Sequence, residues 1–126
     1  MTDPAVSVDS YMAMWNEMDA TRRLEHIRRA WSETGRYEDP VRECQGYAAL
    51  SEMVANVHAQ FPGYSLRRAS GIDLHHDQLR FAWELVAPDG AVTVSGVDVC
   101  LLAADGRLQC VVGFFGRLPE EGGNSD

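Results

Sequence analysis

Cysteine is scarce in these 126 residues: only Cys44, Cys100 and Cys110 occur, with no CxxC spacing among them. An odd count cannot close a complete disulfide set, so the expectation is reduced thiols in a cytoplasmic protein. No apolar run approaches the about 20 residues that span a bilayer. The opening residues Thr2-Asp3-Pro4 lack the basic start and apolar stretch of a secretory leader, and none is expected. Positive charge is outweighed, with 11 basic against 19 acidic residues, a formal net charge of -8 and a pI near 4.8. That balance argues against attraction to nucleic acid or to an anionic membrane surface. The pairs Arg22-Arg23, Arg28-Arg29 and Arg67-Arg68 read as solvated surface. His75 and His76 are adjacent and would point apart at a strand end, and no further His/Cys set has ligand spacing, so no metal site is expected.

What is present suits one packed domain. Hydrophobic residues make up 45% of the chain, enough to bury a sizeable core. We place a single domain over 1–118 and an acidic, glycine-bearing disordered tail over 119–126. Asp3-Pro4 reads as a helix cap and first turn, with Val8, Tyr11, Met12, Trp15 and Met18 at helical spacing. Asp19 caps a second helix whose apolar stripe is Leu24, Ile27 and Trp31, ended by Gly35. An extended segment, Gly35 to Val41, follows. Gly46 introduces a third helix, through Leu50, Val54 and Val57 to Phe61, and Pro62-Gly63 stops it. The period then changes to two. Tyr64–Leu74, Leu79–Val86, Ala91–Leu102 and Leu108–Phe115 read as strands of an antiparallel meander, with turns at Pro88-Asp89-Gly90 and Asp105-Gly106. Three helices followed by strands predict an α+β fold, with the helices covering one face of a curved, mainly antiparallel sheet.

Two carboxylates stand out against that frame. Asp39 precedes Pro40, which disfavours helix at Asp39 and holds it extended, so the acid is either a general base at the mouth of a cavity or part of a solvated turn. Asp98 is the sole ionisable residue on a strand face otherwise made of Val92, Val94, Gly96, Cys100 and Leu102. Removal from water disfavours its charged form, so its pKa rises unless a cation or several donors meet it; the alternatives are a solvent-facing strand or an arginine partner. An ionised Asp39 and a neutral, hydrogen-bond-donating Asp98 would together serve proton abstraction next to a carbonyl, with the enolate oxygen held by donors. A second donor is then expected nearby.

The order of helix, helix, "YEDPV", helix and a meander containing "GVDVCLLAADGRLQCVVGFFG" resembles the cone-shaped nuclear-transport-factor-two-like superfamily. Within it, the likeness is to the ketosteroid isomerase and SnoaL-like polyketide cyclase branch, over about Val8 to Gly116. The resemblance implies a base at Asp39, matching "VEDP" in those isomerases, and a protonated acid at Asp98, matching "IDV". With Asp19 set against the acidic start of their second helix, Tyr11 falls on the oxyanion tyrosine; its other reading is simple packing on an apolar stripe. Those isomerases support that tyrosine with further tyrosines, where this chain has Trp31 and Val54. The resemblance also implies a homodimer formed through the outer sheet face and a reaction without cofactor.

Trp15, Trp31, Phe61, Trp83 and Phe115 are the expected walls of a pocket for a small apolar molecule. His58, one turn past Val54, either faces that pocket as a partner of Asp39 or lies at the helix surface. The leading expectation is therefore an isomerase- or cyclase-like enzyme using Asp39, Tyr11 and Asp98. The alternatives are a non-catalytic binding protein of the same fold and an epoxide-hydrolase-like enzyme, which would want an Arg-Asp pair in the cavity.

Overall fold

The computed structural model describes residues 1–122; the last part of the expected tail, 123–126, lies outside the described residues. Helix α1 spans Pro4–Asn16, with the Asp3 side chain accepting from the Ala5 N–H and Pro4 in the first turn. Helix α2 spans Ala20–Ala30, capped by Asp19, which accepts from Arg22 N–H. Such caps satisfy amide groups that the helix itself leaves without acceptors. Helix α3 spans Tyr47–Gln60 and starts after Gly46, whose φ of 91° is a left-handed value that favours glycine.

The second helix ends earlier than its stripe suggests. Trp31 is the first residue of strand β1, Trp31–Glu38, and pairs with Leu108. Spacing alone fitted Trp31 to the helix, but the ladder with the C-terminal strand wins. Gly35 is thus within a strand rather than a helix stop. A Cβ there would lie 2.5 Å from the Trp31 ring, so glycine serves a close approach.

Six further strands complete the sheet: β2 Glu43–Gln45, β3 Ser65–Arg68, β4 Asp73–His75, β5 Gln78–Val86, β6 Val92–Leu102 and β7 Leu108–Phe115. Their order is β2-β1-β7-β6-β5-β3, with β4 also on β5. The expected strand over Tyr64–Leu74 is split, since both β3 and β4 pair with β5 and the chain between them leaves the ladder. There the Ser70 hydroxyl accepts from Ala82 N–H in place of a backbone partner. The meander β5-β6-β7 is antiparallel as expected, whereas β1 runs parallel to β7. The fold is α+β: three helices over a curved, mixed, mainly antiparallel sheet.

Helices and inner sheet face share a core that includes Val8, Met14, Ile27, Trp31, Leu50 and Val54. Arg23 corrects the reading of the arginine pairs as solvated. Only 4% exposed, it donates to the carbonyls of Glu17, Met18 and Ser51 and ties the α1–α2 turn to α3.

Gly96 of β6 is packed against Trp83 of β5 and the Phe114 carbonyl of β7; a Cβ there would come within 2.5 Å of the indole ring. Overpacking of this kind costs about 1–3 kcal/mol. Gly96→Ala is expected to lower the unfolding free energy by that amount, measured as a lower urea midpoint at unchanged slope.

Candidate active site

The sheet register brings the two carboxylates together. Asp98 on β6 is paired with Gly113 on β7, and Glu38 at the end of β1 is paired with the neighbouring Val112. Asp39 follows Glu38, so it falls beside Gly113. A Cβ built on that glycine would lie 3.0 Å from Asp98 Oδ1, 3.3 Å from Asp39 Cβ and 3.5 Å from the Tyr37 hydroxyl. The absence of a side chain at 113 leaves the space in which these groups meet.

Asp98 is 3% exposed and has no arginine partner among the described residues. Its Oδ2 accepts from the Tyr11 hydroxyl of α1 at 2.7 Å, and its Oδ1 accepts from Trp83 Nε1 of β5 at 3.0 Å. Burial pushes its pKa up to about 7; the two donors oppose that shift, and the charge on Asp39 adds to it. Burial and the Asp98 charge likewise hold the Tyr11 phenol far above its ordinary range. Tyr11 therefore remains a donor at any working pH.

Asp39 is set differently. Its Oδ1 accepts from the backbone N–H groups of Val41 and Arg42, both at 2.8 Å, in the turn that Pro40 makes after β1. Its Oδ2 accepts from the Tyr37 hydroxyl at 2.7 Å, and Arg42 Nη1 approaches the same oxygen at 3.5 Å. Every neighbour is a donor, the surroundings that suit an ionised, acceptor-only carboxylate. Oδ1 is filled by two short bonds, whereas Oδ2 has one short bond and one long contact at 3.5 Å, so Oδ2 is the oxygen with more capacity for a proton. Burial, followed by the nearby Asp98 charge, raises the Tyr37 phenol well above its ordinary range.

Tyr37 and Arg42 were not singled out from the sequence. Tyr37 had a signal: it lies two residues before Asp39 on an extended segment and so shares its side of the strand. Arg42 reaches Asp39 only through the turn.

Around these groups opens a cavity of about 830 Å³. Tyr11, Trp15, Tyr37, Asp39, His58, Phe61, Trp83, Asp98 and Phe115 all line it, so eight of the nine residues chosen from the sequence contribute to one space, together with Tyr37. Trp31 is the exception and is corrected here. It is fully buried behind Tyr11, ring centroids 5.8 Å apart, because its place at the start of β1 points it into the core. Trp15 packs edge-on against Tyr37 at 5.6 Å, and Trp83 against Phe115 at the same separation, which gives the cavity an aromatic wall. His58 is neither paired with Asp39 nor free at the surface. Its Nε2 lies 2.7 Å from the Trp15 carbonyl oxygen. His58 Nδ1 and Trp15 Nε1 are buried without partners, a state that costs about 1–3 kcal/mol for each group. Among the described residues no three His, Cys, Asp or Glu side chains gather as metal ligands would.

A curved sheet closed by three helices around such a cavity defines a protein of the nuclear-transport-factor-two-like cone fold. Among solved structures, the chain is similar to a candidate isomerase of the SnoaL-like family from Agrobacterium tumefaciens, with 37% identity over 93% of this chain and 100% of that one and a TM-score of 0.85. On that likeness, the chain belongs to the SnoaL-like family. More distant structures share the fold. A candidate SnoaL-like polyketide cyclase from Jannaschia sp. is 16% identical over 88% of this chain and 85% of that one, TM-score 0.64. A protein of ketosteroid isomerase-like fold from Catenulispora acidiphila, in complex with trimethylamine, is 12% identical over 91% and 88%, TM-score 0.70. No protein-family profile and no curated protein matches the chain.

The raised Asp98 pKa has a consequence for stability. Below 3.8, the ordinary value, folded and unfolded chains both hold the proton; between 3.8 and about 7 only the folded chain keeps it. Stability attributable to Asp98 therefore falls as pH rises through that window and is level above it. Asp98→Asn is expected to flatten this part of the profile, measured as urea midpoints across the window.

Proposed function

We propose that this chain is a ketosteroid-isomerase-like or polyketide-cyclase-like enzyme that abstracts a proton next to a carbonyl of a small, largely apolar substrate. The observation that supports it is the meeting of two unlike carboxyl groups across Gly113 at one apolar cavity. In this reading Asp39 is the base: the turn amides hold its Oδ1, and Oδ2 takes the proton. The substrate carbonyl sits beside Tyr11 and Asp98. When Asp98 is neutral with its proton on Oδ2, the Tyr11–Asp98 bond can reverse, so that Asp98 donates to Tyr11 or to the substrate and the Tyr11 hydrogen turns to the oxygen that becomes negative as the enolate forms. Trp83 and Tyr37 position the two acids, since each bonds a carboxylate oxygen that must keep its direction. The proton taken by Oδ2 returns to a different carbon in an isomerisation; in a cyclase the enolate carbon forms the new bond to a second carbonyl of the substrate and the proton goes to the alkoxide oxygen this creates, so no cofactor is called for. Three unpaired thiols fit a cytoplasmic setting.

A specific contact favours a second reading. Arg42 beside Asp39 is an Arg-Asp pair at the cavity, as an epoxide-hydrolase-like enzyme would use to activate water. An enone whose double bond moves into conjugation separates the two. Wild type is expected to give an ultraviolet change that Asp39→Asn abolishes and Tyr11→Phe slows by about 10². Equal rates for wild type and Asp39→Asn would remove Asp39 as base, and hydrolysis of an epoxide probe in place of enone turnover would select the second reading.

The same proposal includes a homodimer. On the outer face of β6 and β7, Val99, Leu101 and Phe114 are 37%, 42% and 58% exposed, an apolar patch suited to a second copy. Phe114→Glu is expected to convert a dimer to a monomer in sedimentation velocity while leaving the far-ultraviolet circular dichroism unchanged.

A further inference from the structure

We infer that Arg42 anchors a carboxylate subsite on the base side of the cavity, with the Tyr64 hydroxyl and the Gln60 amide as further donors. The inference rests on the proposed reading of the cavity as a substrate site, and it narrows the substrate to a ketone that carries a carboxylate. Among the described residues that line the cavity, Arg42 is the only Lys or Arg. Its side chain is 24% exposed, so water screens its charge less than that of a free surface arginine.

The guanidinium is held in place but not filled. Nη2 donates to Gln60 Oε1 at 3.3 Å and Nη1 approaches Asp39 Oδ2 at 3.5 Å, both long for bonds of this kind. Nε has no partner among the described residues. Neither has the hydroxyl of Tyr64, which lines the cavity with Phe61, ring centroids 5.3 Å apart. Both atoms are open, since the buried side-chain nitrogens and oxygens without partners belong to Trp15, Trp31 and His58. Gln60 accepts from Arg42 through its oxygen, which leaves its NH2 free to donate. Gln60 is the last residue of α3 and Tyr64 lies in the loop after it, so the contact between Gln60 and Arg42 gathers these groups at one corner.

Every unused group in this corner can donate, and one is positively charged. A planar carboxylate matches the edge of a guanidinium with two parallel bonds and has lone pairs left for a hydroxyl or an amide. The lining acids leave Arg42 available for it. Glu43 pairs with Arg36 at 3.4 Å, and Glu52 stands about 12 Å from Gln60 by helical rise along α3. Asp39 takes its short bonds from Tyr37 and from the backbone of Val41 and Arg42. Because Arg42 lies beside Asp39, the carboxylate falls beyond the carbon that loses its proton, with the reacting carbonyl at Tyr11 and Asp98. The guanidinium then stands near both negative groups and offsets the repulsion between them.

Calorimetric titration of the full chain at neutral pH tests this by binding alone, without turnover. The probes are carboxylic acids of α-tetralone substituted at different ring positions, each compared with its own methyl ester. At least one acid is expected to bind about tenfold tighter than its ester, and that preference is expected to shrink as salt is raised. Arg42→Gln should erase the preference, whereas Arg42→Lys, which keeps the charge but not the planar edge, should retain part of it. Should the Arg42 variants fold poorly, Tyr64→Phe, a change of one oxygen, should by itself reduce the preference. Acids and esters bound alike by wild type, or a preference that survives Arg42→Gln, would overturn the subsite and leave the proton-transfer reading standing. No binding of any tetralone would overturn the small-ketone reading and the subsite with it.

Discussion

The parallel pairing of β1 with β7 is the constraint from which the site follows. It lays the end of the first strand beside Val111 and Val112, while the antiparallel pairing of β6 puts Asp98 opposite Gly113 on the other side. One glycine between two strands is thereby the meeting point of both acids. Because side chains alternate faces along a strand, a one-residue slip in either ladder would turn an acid to the outside. The inner acid also ties the layers together. Tyr11 comes from the helical layer and Trp83 from β5, and both end on the same buried carboxyl.

The two carboxyl groups that meet beside Gly113 stand in unlike surroundings. Asp98 has two donors but is buried among apolar groups, and its pKa is raised to about 7. Asp39 is met by two backbone amides, a phenol and an arginine. Trp15 with Tyr37 and Trp83 with Phe115 make an aromatic wall beside them, while Asn16, Arg42, Glu52, Asn56 and Gln60 bring polar groups to the rest of the lining.

Membership of the SnoaL-like family and the cone fold do not themselves specify a reaction, because function resides in the site a fold carries. The particulars of this chain lie in its contacts: Tyr37 directed at Asp39, Trp83 directed at Asp98, and His58 held by the Trp15 carbonyl. A tyrosine on β1, Tyr37, donates to Asp39.

Much was legible without coordinates. Asp3 and Asp19 announced the first two helix starts, and Pro62-Gly63 the end of the third. The two-fold period of Ala91–Leu102 placed Asp98 on the inner face, since local periodicity reports which side of an element is buried. Periodicity does not report partners. Trp31 satisfied a helical stripe but went to the sheet, because Leu108 was available to pair with it, and the strand over Tyr64–Leu74 broke where Ser70 took over a ladder bond. The pairing of β1 with β7, the contacts of Tyr37 and Arg42 with Asp39, and the capture of His58 by Trp15 were decided by tertiary structure alone. Each joins residues through strand registers, turns and helix packing, whose energies depend on distant parts of the chain and leave no mark on the spacing of residues along it.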